Sequence, residues 1–203
     1  MTVKIVAFEG SDYSGKTTMI AHFAKRFAGR KMAFNRGPIY PTQLTGKLGE
    51  LAEHSTEAEK EILYTTIFGV DTIESVLHHS GDERTIFQDR YWQSVISYGR
   101  FLNGENSVHN HRDYRGLFIV PDATVVLACS IDEKLKRSAS RGKDSAIDKI
   151  LLKNPEEFDR LEHEIERSLE GLPHVLRFDT SHRSVEEVAS QIEQQVAFLL
   201  PTP

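Results

Sequence analysis

The chain has 203 residues, of which 39% are hydrophobic and 27% charged, and its formal net charge at pH 7 is -5. This length favours a single domain, residues 1–203, with a hydrophobic core of its own. The negative charge argues against general nucleic-acid binding, and no apolar run approaches the ~20 residues of a membrane span. The opening MTVKIVAFEG reaches Glu9 too early for a secretory signal. We therefore expect a cytoplasmic protein that binds neither nucleic acid nor membrane.

The first half of the chain alternates strand-length apolar runs with helical periodicity. VKIVAF (3–8) predicts a buried strand. The next apolar side chains recur at helical spacing: Met19, Ile20, Phe23 and Phe27. KMAFN (31–35) predicts a second strand, and TIFQ (85–88) a third. Between them, Thr56 and Glu59 have the spacing of a capping box and open a long predicted helix.

The same alternation continues in the second half. ATVVLAC (123–129) predicts a fourth strand, and a second capping box, Ser130 with Glu133, opens a helix that should end near Gly142. Asn154 and Pro155 are suited to the N-cap and first position of another helix.

The last predicted strand and helix complete the pattern. HVLRF (174–178) predicts a fifth strand, and Ser184 with Glu187 caps a final helix. Strands that alternate with helices and are apolar throughout are typical of a parallel sheet covered on both faces. In such sheets ligands bind at the carboxyl ends of the strands, so the residues that follow each strand are the candidate site.

Residues 10–17, GSDYSGKT, match G-x-x-x-x-G-K-[ST] in full, between a predicted strand and a predicted helix. In such a loop, backbone N–H groups bind phosphate oxygens, the lysine reaches the β- and γ-phosphates, and the hydroxyl coordinates Mg²⁺. An ordinary glycine-containing turn is the alternative, and the agreement of motif and context argues against it. The predicted nucleoside triphosphate site contains Gly10, Ser11, Asp12, Tyr13, Ser14, Gly15, Lys16, Thr17 and Thr18.

Charged residues follow other predicted strands. Asp89 and Arg90 come after TIFQ, where the carboxylate could hold Mg²⁺ directly or through water and the guanidinium could bridge two phosphates. Arg36 follows KMAFN, and a surface cation is its alternative interpretation. Arg137 and Arg141 are four residues apart and share a helix face. They form either a solvated basic face or a mobile lid that closes over phosphates.

Together these segments resemble the thymidylate kinase family of nucleoside monophosphate kinases. The resemblance is carried by FEGSDYSGKTT, FQDRYWQSVISYG, VPDATVVLACSIDEKLKRSASRG, FDTSHRSVEEV and TQLTGKLGEL, and it covers most of the chain except an insertion around 103–116. It implies a three-layer α/β/α P-loop NTPase fold with a five-stranded parallel sheet in the order 2-3-1-4-5 and a helical lid at about 134–150. It also implies an Mg²⁺-dependent transfer of the ATP γ-phosphate to a deoxynucleoside 5′-monophosphate, with dTMP as the leading acceptor, and a homodimer.

The resemblance implies roles for individual residues. Asp12 would hydrogen-bond the 3′-hydroxyl of the acceptor, and Asp89 would serve Mg²⁺ and the acceptor side. Arg36 and Arg90 would clamp the acceptor phosphate. The base would stack on Phe68 and the sugar would lie on Tyr98, which crowds out a 2′-hydroxyl. On the donor side the implied residues are Thr180, near the adenine, and the lid cations Arg137, Arg141 and Lys143.

Family members carry a catalytic arginine either in the phosphate loop or in the lid. Tyr13 occupies the loop position here, so the lid must supply that charge. The chain departs from the family pattern in the segment RGPIYPTQL, which is one residue longer than usual, and at two single positions. Thr72 stands where an arginine usually reads the thymine carbonyl, and Gly37 replaces a common glutamate. The acceptor base is therefore open: another or modified deoxynucleotide, or a deoxynucleoside, is an alternative. A non-catalytic ATP-binding switch module is the alternative of a different class.

Overall fold

The computed structural model describes residues 3–77, 84–141 and 146–201. Within them, five strands form one parallel sheet in the order β2-β3-β1-β4-β5. The strands are β1 (Lys4–Glu9), β2 (Met32–Arg36), β3 (Thr85–Asp89), β4 (Ala123–Ala128) and β5 (Val175–Asp179). The predicted sheet and its order are confirmed, and each strand begins and ends within one residue of its prediction.

Helices connect the strands. They are α1 (Lys16–Arg26), α2 (Gln43–Glu53), α3 (Glu57–Leu77), α4 (Trp92–Asn103), α5 (Val108–His111), α6 (Ile131–Arg141), α7 (Ala146–Lys153), α8 (Glu156–Ser168) and α9 (Val185–Val196). The predicted helices correspond to α1, α3, α6, α8 and α9. The helices α2, α5 and α7 were not predicted, and α4 was indicated only by the helical spacing of Trp92, Val95 and Ile96. None of the described helices is long and apolar enough to cross a membrane.

The sheet is the middle of three layers. On one face, α1 and α9 pack against alternate strand residues in a core that includes Phe8, Phe23, Phe87 and Ile192. On the other face, α3, α4 and α8 pack against the sheet in a core that includes Ile5, Ile86, Val126, Phe68, Trp92, Ile96, Leu161 and Ile165. Because both faces of the central strands are buried, their sequences are apolar throughout rather than alternating.

Two predicted capping boxes form in full. At α3, the Thr56 N–H donates to Glu59 Oε2 at 2.8 Å, and the Glu59 N–H donates to Thr56 Oγ1 at 3.4 Å. At α9, the same reciprocal pair joins Ser184 and Glu187, at 2.8 and 3.2 Å. Each box satisfies backbone donors that the first helical turn leaves free.

The box predicted at α6 forms only in half. The Glu133 N–H donates to Ser130 Oγ at 3.4 Å, but the Ser130 N–H donates to Ser181 Oγ at 2.8 Å. The Glu133 carboxylate instead pairs with Arg137 Nε at 3.2 Å. The prediction was wrong here because tertiary and i,i+4 partners compete for both groups.

The start of α8 also differs from its prediction. Pro155 is the N-cap, and no side chain caps the helix. Asn154 contributes its backbone carbonyl, which accepts the Glu157 N–H at 2.9 Å. The predicted side-chain cap by Asn154 was therefore wrong.

The segment 103–116, which the sequence left without an assignment, packs against α3 and α4 through Glu61. This buried carboxylate accepts Ser107 Oγ at 2.5 Å and Asn103 Nδ2 at 2.6 Å. The imidazole Nε2 of buried His109 lies 3.1 Å from Thr65 Oγ1. These contacts fix the segment at the end of α4 that is distant from the phosphate loop.

Candidate active site

The phosphate loop joins β1 to α1 at the carboxyl edge of the sheet. Gly10 has φ 140°, and a Cβ there would lie 2.3 Å from the Leu127 carbonyl oxygen of β4. Gly15 has φ 95° and is the N-cap of α1. Both positions therefore require glycine, and the loop presents the N-terminus of α1 to an anion.

The Lys16 ammonium group lies inside this loop. It donates to the carbonyl oxygens of Gly10 and Ser11 at 2.9 and 2.7 Å and to Ser14 Oγ at 3.2 Å. Burial, reinforced by the nearby Arg90, lowers the pKa of Lys16 to about 7, although neighbouring carboxylates oppose the shift. An anionic ligand in the loop would favour the charged lysine.

Thr17 and Asp89 bring two oxygen atoms together beside the loop. Thr17 Oγ1 donates to Asp89 Oδ2 at 3.3 Å. Asp89 ends β3, which pairs with β1, so the two chain segments meet at one edge of the sheet. Hydroxyl and carboxylate oxygens are the ligands that Mg²⁺ prefers, and the pair fits such an ion. Thr18 follows Thr17 in the first turn of α1, and its side chain is exposed.

Asp12, Arg90 and Tyr98 form a compact polar group next to Lys16. Arg90 Nη2 pairs with Asp12 Oδ1 at 2.7 Å, and Tyr98 Oη donates to Asp12 Oδ2 at 2.7 Å. The Arg90 guanidinium lies over the Tyr98 ring, 4.8 Å from its centroid. Burial would raise the pKa of Asp12, but Arg90 and Lys16 outweigh it and hold that pKa below its usual value. Asp12 is therefore a charged acceptor of hydrogen bonds at neutral pH.

Glu9 is a functional support that sequence reasoning missed. It is fully buried, and its two oxygens accept the Tyr91 N–H at 2.8 Å and Ser94 Oγ at 2.5 Å. These bonds hold the turn in which Arg90 adopts φ 61°, a conformation that favours glycine. The sequence feature that could have identified Glu9 is an acidic residue at the end of an otherwise apolar strand.

Arg36 lies at the same edge as Asp89. The two residues are register partners at the ends of β2 and β3. Arg36 is exposed, and Gly37 follows it with φ 91°. The sheet therefore brings Arg36 and Arg90 to neighbouring strand ends, as the strand pattern predicted.

Three further polar residues hold the segment after Arg36, and no local sequence pattern predicted them. Gln88 Nε2 donates to the carbonyl oxygens of both Gly37 and Arg90, at 2.8 and 2.9 Å. Asn35 Nδ2 donates to Pro38 O at 2.9 Å. The buried Asp71 carboxylate accepts the N–H groups of 39–40 at 2.9 and 2.6 Å. The Arg36 loop is thus tied both to the Arg90 turn and to α3.

Phe68 and Thr72 lie on α3, behind that loop. Phe68 is buried and packs edge-to-face on Tyr91, with ring centroids 5.1 Å apart. The Thr72 hydroxyl donates to the Phe68 carbonyl oxygen at 3.1 Å, within its own helix. Phe68 therefore reaches the candidate site next to Arg90, whereas the Thr72 hydrogen is already committed to the backbone.

The α6 arginines lie on the other side of the phosphate loop. Arg137 donates to the Tyr13 carbonyl oxygen at 3.0 Å, and to Thr180 Oγ1 and O at 3.0 and 2.7 Å. Thr180 Oγ1 in turn donates to Ser14 O at 3.0 Å. The Arg141 guanidinium lies 5.9 Å from the Tyr13 ring centroid. Lys143, the third predicted lid cation, lies outside the described residues.

The sheet order and the phosphate loop define the P-loop class of nucleotide-binding proteins. A family model described as "Thymidylate kinase" matches residues 8–192. The chain belongs to the thymidylate kinase family.

Proteins with that name resemble the chain over nearly its full length. The thymidylate kinase of Burkholderia cenocepacia is 29% identical, over 97% of this chain and 98% of its own. A probable thymidylate kinase of Methanococcus aeolicus is 28% identical over 93% of each chain. The solved structure of thymidylate kinase from Candida albicans has a TM-score of 0.61 and 16% identity, with 97% of this chain and 92% of that one covered, and shares the fold.

Proposed function

We propose that this protein is an ATP-dependent kinase that transfers the γ-phosphoryl group to the 5′-phosphate of dTMP, giving ADP and dTDP. One observation carries the proposal. In a chain of the thymidylate kinase family, the Asp12–Arg90 pair lies directly beside the phosphate-loop lysine, and Arg90 Nη1 reaches Gly10 O at 3.3 Å. A triphosphate cradle and a second cationic group thus share one edge of the sheet. A switch module would not need the second group.

On the donor side, the loop N–H groups and Lys16 would bind the ATP phosphates. Thr17 and Asp89 would hold Mg²⁺, which would neutralise charge on the phosphate oxygens. Arg137 fixes the Tyr13 carbonyl and Thr180, and it would place Thr180 near the adenine. The protein contributes position and charge rather than covalent chemistry.

On the acceptor side, Arg36 and Arg90 would bind the 5′-phosphate, and Asp12 would accept a hydrogen bond from the 3′-hydroxyl. The base would lie on Phe68. Tyr98, held by Asp12 at 2.7 Å, would occupy the space that a 2′-hydroxyl needs. Thr72 offers no charge to the base, and its hydroxyl oxygen, which is still free to accept a hydrogen bond, would contact the base through water.

We further propose that the chain is a single kinase domain in which residues 134–150 form a lid over the bound phosphates. Arg141 would be the lid cation that acts during phosphoryl transfer. Tyr13 takes the place of an arginine in the loop. The negative charge that develops on the phosphoryl group during transfer would therefore be stabilised by a cation of α6. A lid that closes only on both substrates would keep water from the γ-phosphate.

A coupled assay of ADP release tests the activity. Purified protein is mixed with MgATP and, in turn, dTMP, dUMP, dCMP, dGMP, dAMP or thymidine. We expect release that depends on acceptor and is fastest with dTMP. Lys16→Met should abolish release and leave the melting temperature intact. Slow ATP loss that ignores every acceptor would instead identify a switch module, and a faster rate with another acceptor would correct the base.

We also propose, from the family resemblance, that the protein forms a homodimer. Apolar side chains on α2 and α3 are more than half exposed, at Leu44, Leu51, Ile62, Ile73, Val76 and Leu77. A second copy of the chain would cover them. A cytoplasmic location stays a prediction from the sequence.

A further inference from the structure

An ion pair between α6 and α8 contacts the phosphate loop at Ser11. Glu162 of α8 accepts a hydrogen bond from Ser11 Oγ at 2.8 Å, on its oxygen Oε1. The same oxygen pairs with the ammonium group of Lys134 on α6. One carboxylate oxygen therefore joins the phosphate loop, α6 and α8.

Lys134 is buried where an ammonium group needs a countercharge. Its side chain is 1% exposed, and Nζ lies over the Phe158 ring, 4.7 Å from the centroid. A charge in such a place is costly unless it is paired, and Glu162 supplies the pairing carboxylate. Lys134 in turn fixes the direction of that carboxylate, whose side chain is 34% exposed and would otherwise rotate into solvent.

Three cations attach α6 to the loop along one helix face. Lys134 acts at Ser11 through Glu162. Arg137 donates to the Tyr13 carbonyl oxygen at 3.0 Å, and Arg141 lies over the Tyr13 ring. These contacts bracket Asp12, because Ser11 and Tyr13 are its neighbours in the chain.

We infer that Glu162 and Lys134 are positioning residues that hold the phosphate loop through Ser11 and set the base of α6 against it. The inference rests on the proposed function, since it assigns the pair a part in MgATP binding. Neither side chain touches the reacting atoms. Their effect passes through the Ser11 hydroxyl, which is buried behind the loop.

The test measures MgATP binding by titration calorimetry, without acceptor. Glu162→Gln and Ser11→Ala should each weaken binding about tenfold, the effect of one hydrogen bond to a charged acceptor. If Glu162 acts through Ser11, the double variant should bind no more weakly than the weaker single variant. The matched control is Glu166→Gln, on the same helix, whose pair with Arg177 at 2.5 Å is exposed. It should bind within about twofold of the unaltered protein.

Glu162→Gln leaves a buried ammonium group unpaired and could unfold the chain. The variant Lys134→Met/Glu162→Gln removes that charge, so it should melt close to the unaltered protein and still bind MgATP weakly. Two results would overturn the inference. One is unchanged MgATP binding by a folded Lys134→Met/Glu162→Gln variant. The other is additive losses of affinity from Ser11→Ala and Glu162→Gln. Because no acceptor is present, failure of the dTMP assay leaves this test intact.

Discussion

At neutral pH the Lys16 ammonium group is close to losing its proton. Three loop oxygens accept its hydrogen bonds, but burial lowers its pKa to about 7. Phosphate oxygens favour the charged form and raise that pKa. The protonation of one side chain is thus coupled to ATP binding.

MgATP binding should therefore take up protons at pH 8. That pH lies above the pKa of about 7, so most Lys16 side chains are neutral before phosphate arrives, and binding adds nearly one proton. At pH 6 the side chain is already charged and adds none. Calorimetry in buffers with different ionisation enthalpies measures the number. Lys16→Arg, which keeps its proton at both pH values, is the control, and equal uptake by both proteins would contradict the coupling.

Residues of the candidate site could be predicted where a local motif contains them. Lys16, Thr17 and the two loop glycines lie within eight residues whose spacing has a physical reason. Glu9, by contrast, binds Tyr91 and Ser94, and Glu162 binds Ser11 and Lys134. These partners are far from Glu9 and Glu162 in the chain. The contacts that support the loop can therefore be identified only in the folded structure.

Among the elements, strands were predicted better than helices. Strands such as β1 and β4 are buried on both faces and contain long apolar runs. The helix α2 contains Gly46 and Gly49, and its capping box uses Thr42 with Thr45 rather than a glutamate. Glycine lowers helix propensity, so the local pattern did not indicate a helix there.

The packing of α3 against α4 depends on a single glycine. A Cβ at Gly99 would lie 2.5 Å from Glu61 Cδ and Oε1, and Ser107 and Asn103 hold that carboxylate in place. Gly99→Ala should destabilise the protein by about 1–3 kcal/mol through overpacking. Gly46→Ala, where no atom lies within 4 Å of the new Cβ, should instead stabilise α2 by up to ~1 kcal/mol. Urea denaturation measures both, and equal stability of the two variants would contradict the packing argument.

Arg141 on α6 is expected to act in the transfer step. Arg141 lies near the Tyr13 ring, and in the proposed lid its charge meets the phosphoryl group only during transfer. Arg141→Ala should lower kcat about 100-fold, the effect of one lost electrostatic donor, with KM for dTMP nearly unchanged. Steady-state kinetics at several dTMP concentrations measure both. If saturating dTMP restores the rate, the arginine binds the acceptor rather than serving the transfer.

In the whole molecule, the parallel sheet gathers residues that are distant in sequence. Arg36, Asp89 and Glu9 end three adjacent strands, and the loop between β1 and α1 lies at the same edge. This gathering follows from strand order, which is why the strand pattern alone predicted that these residues would meet at one edge of the sheet. The same pattern carried no information on the outer surface, where α2 and α3 expose apolar side chains.

The exposed apolar side chains of α3 predict that two copies of the chain pair through this helix. On α3, Ile62, Ile73 and Val76 lie along one helix face and are 51, 62 and 69% exposed, and large apolar side chains exposed together on one face are typical of an interface. Ile73→Glu would place a charge in it and should convert the dimer to a monomer in analytical ultracentrifugation, with a melting temperature that no longer rises with protein concentration. Leu117→Glu, at a side chain 54% exposed elsewhere, should leave the dimer unchanged. A monomeric unaltered protein, or a dimeric Ile73→Glu variant, would show that α3 is not the contact.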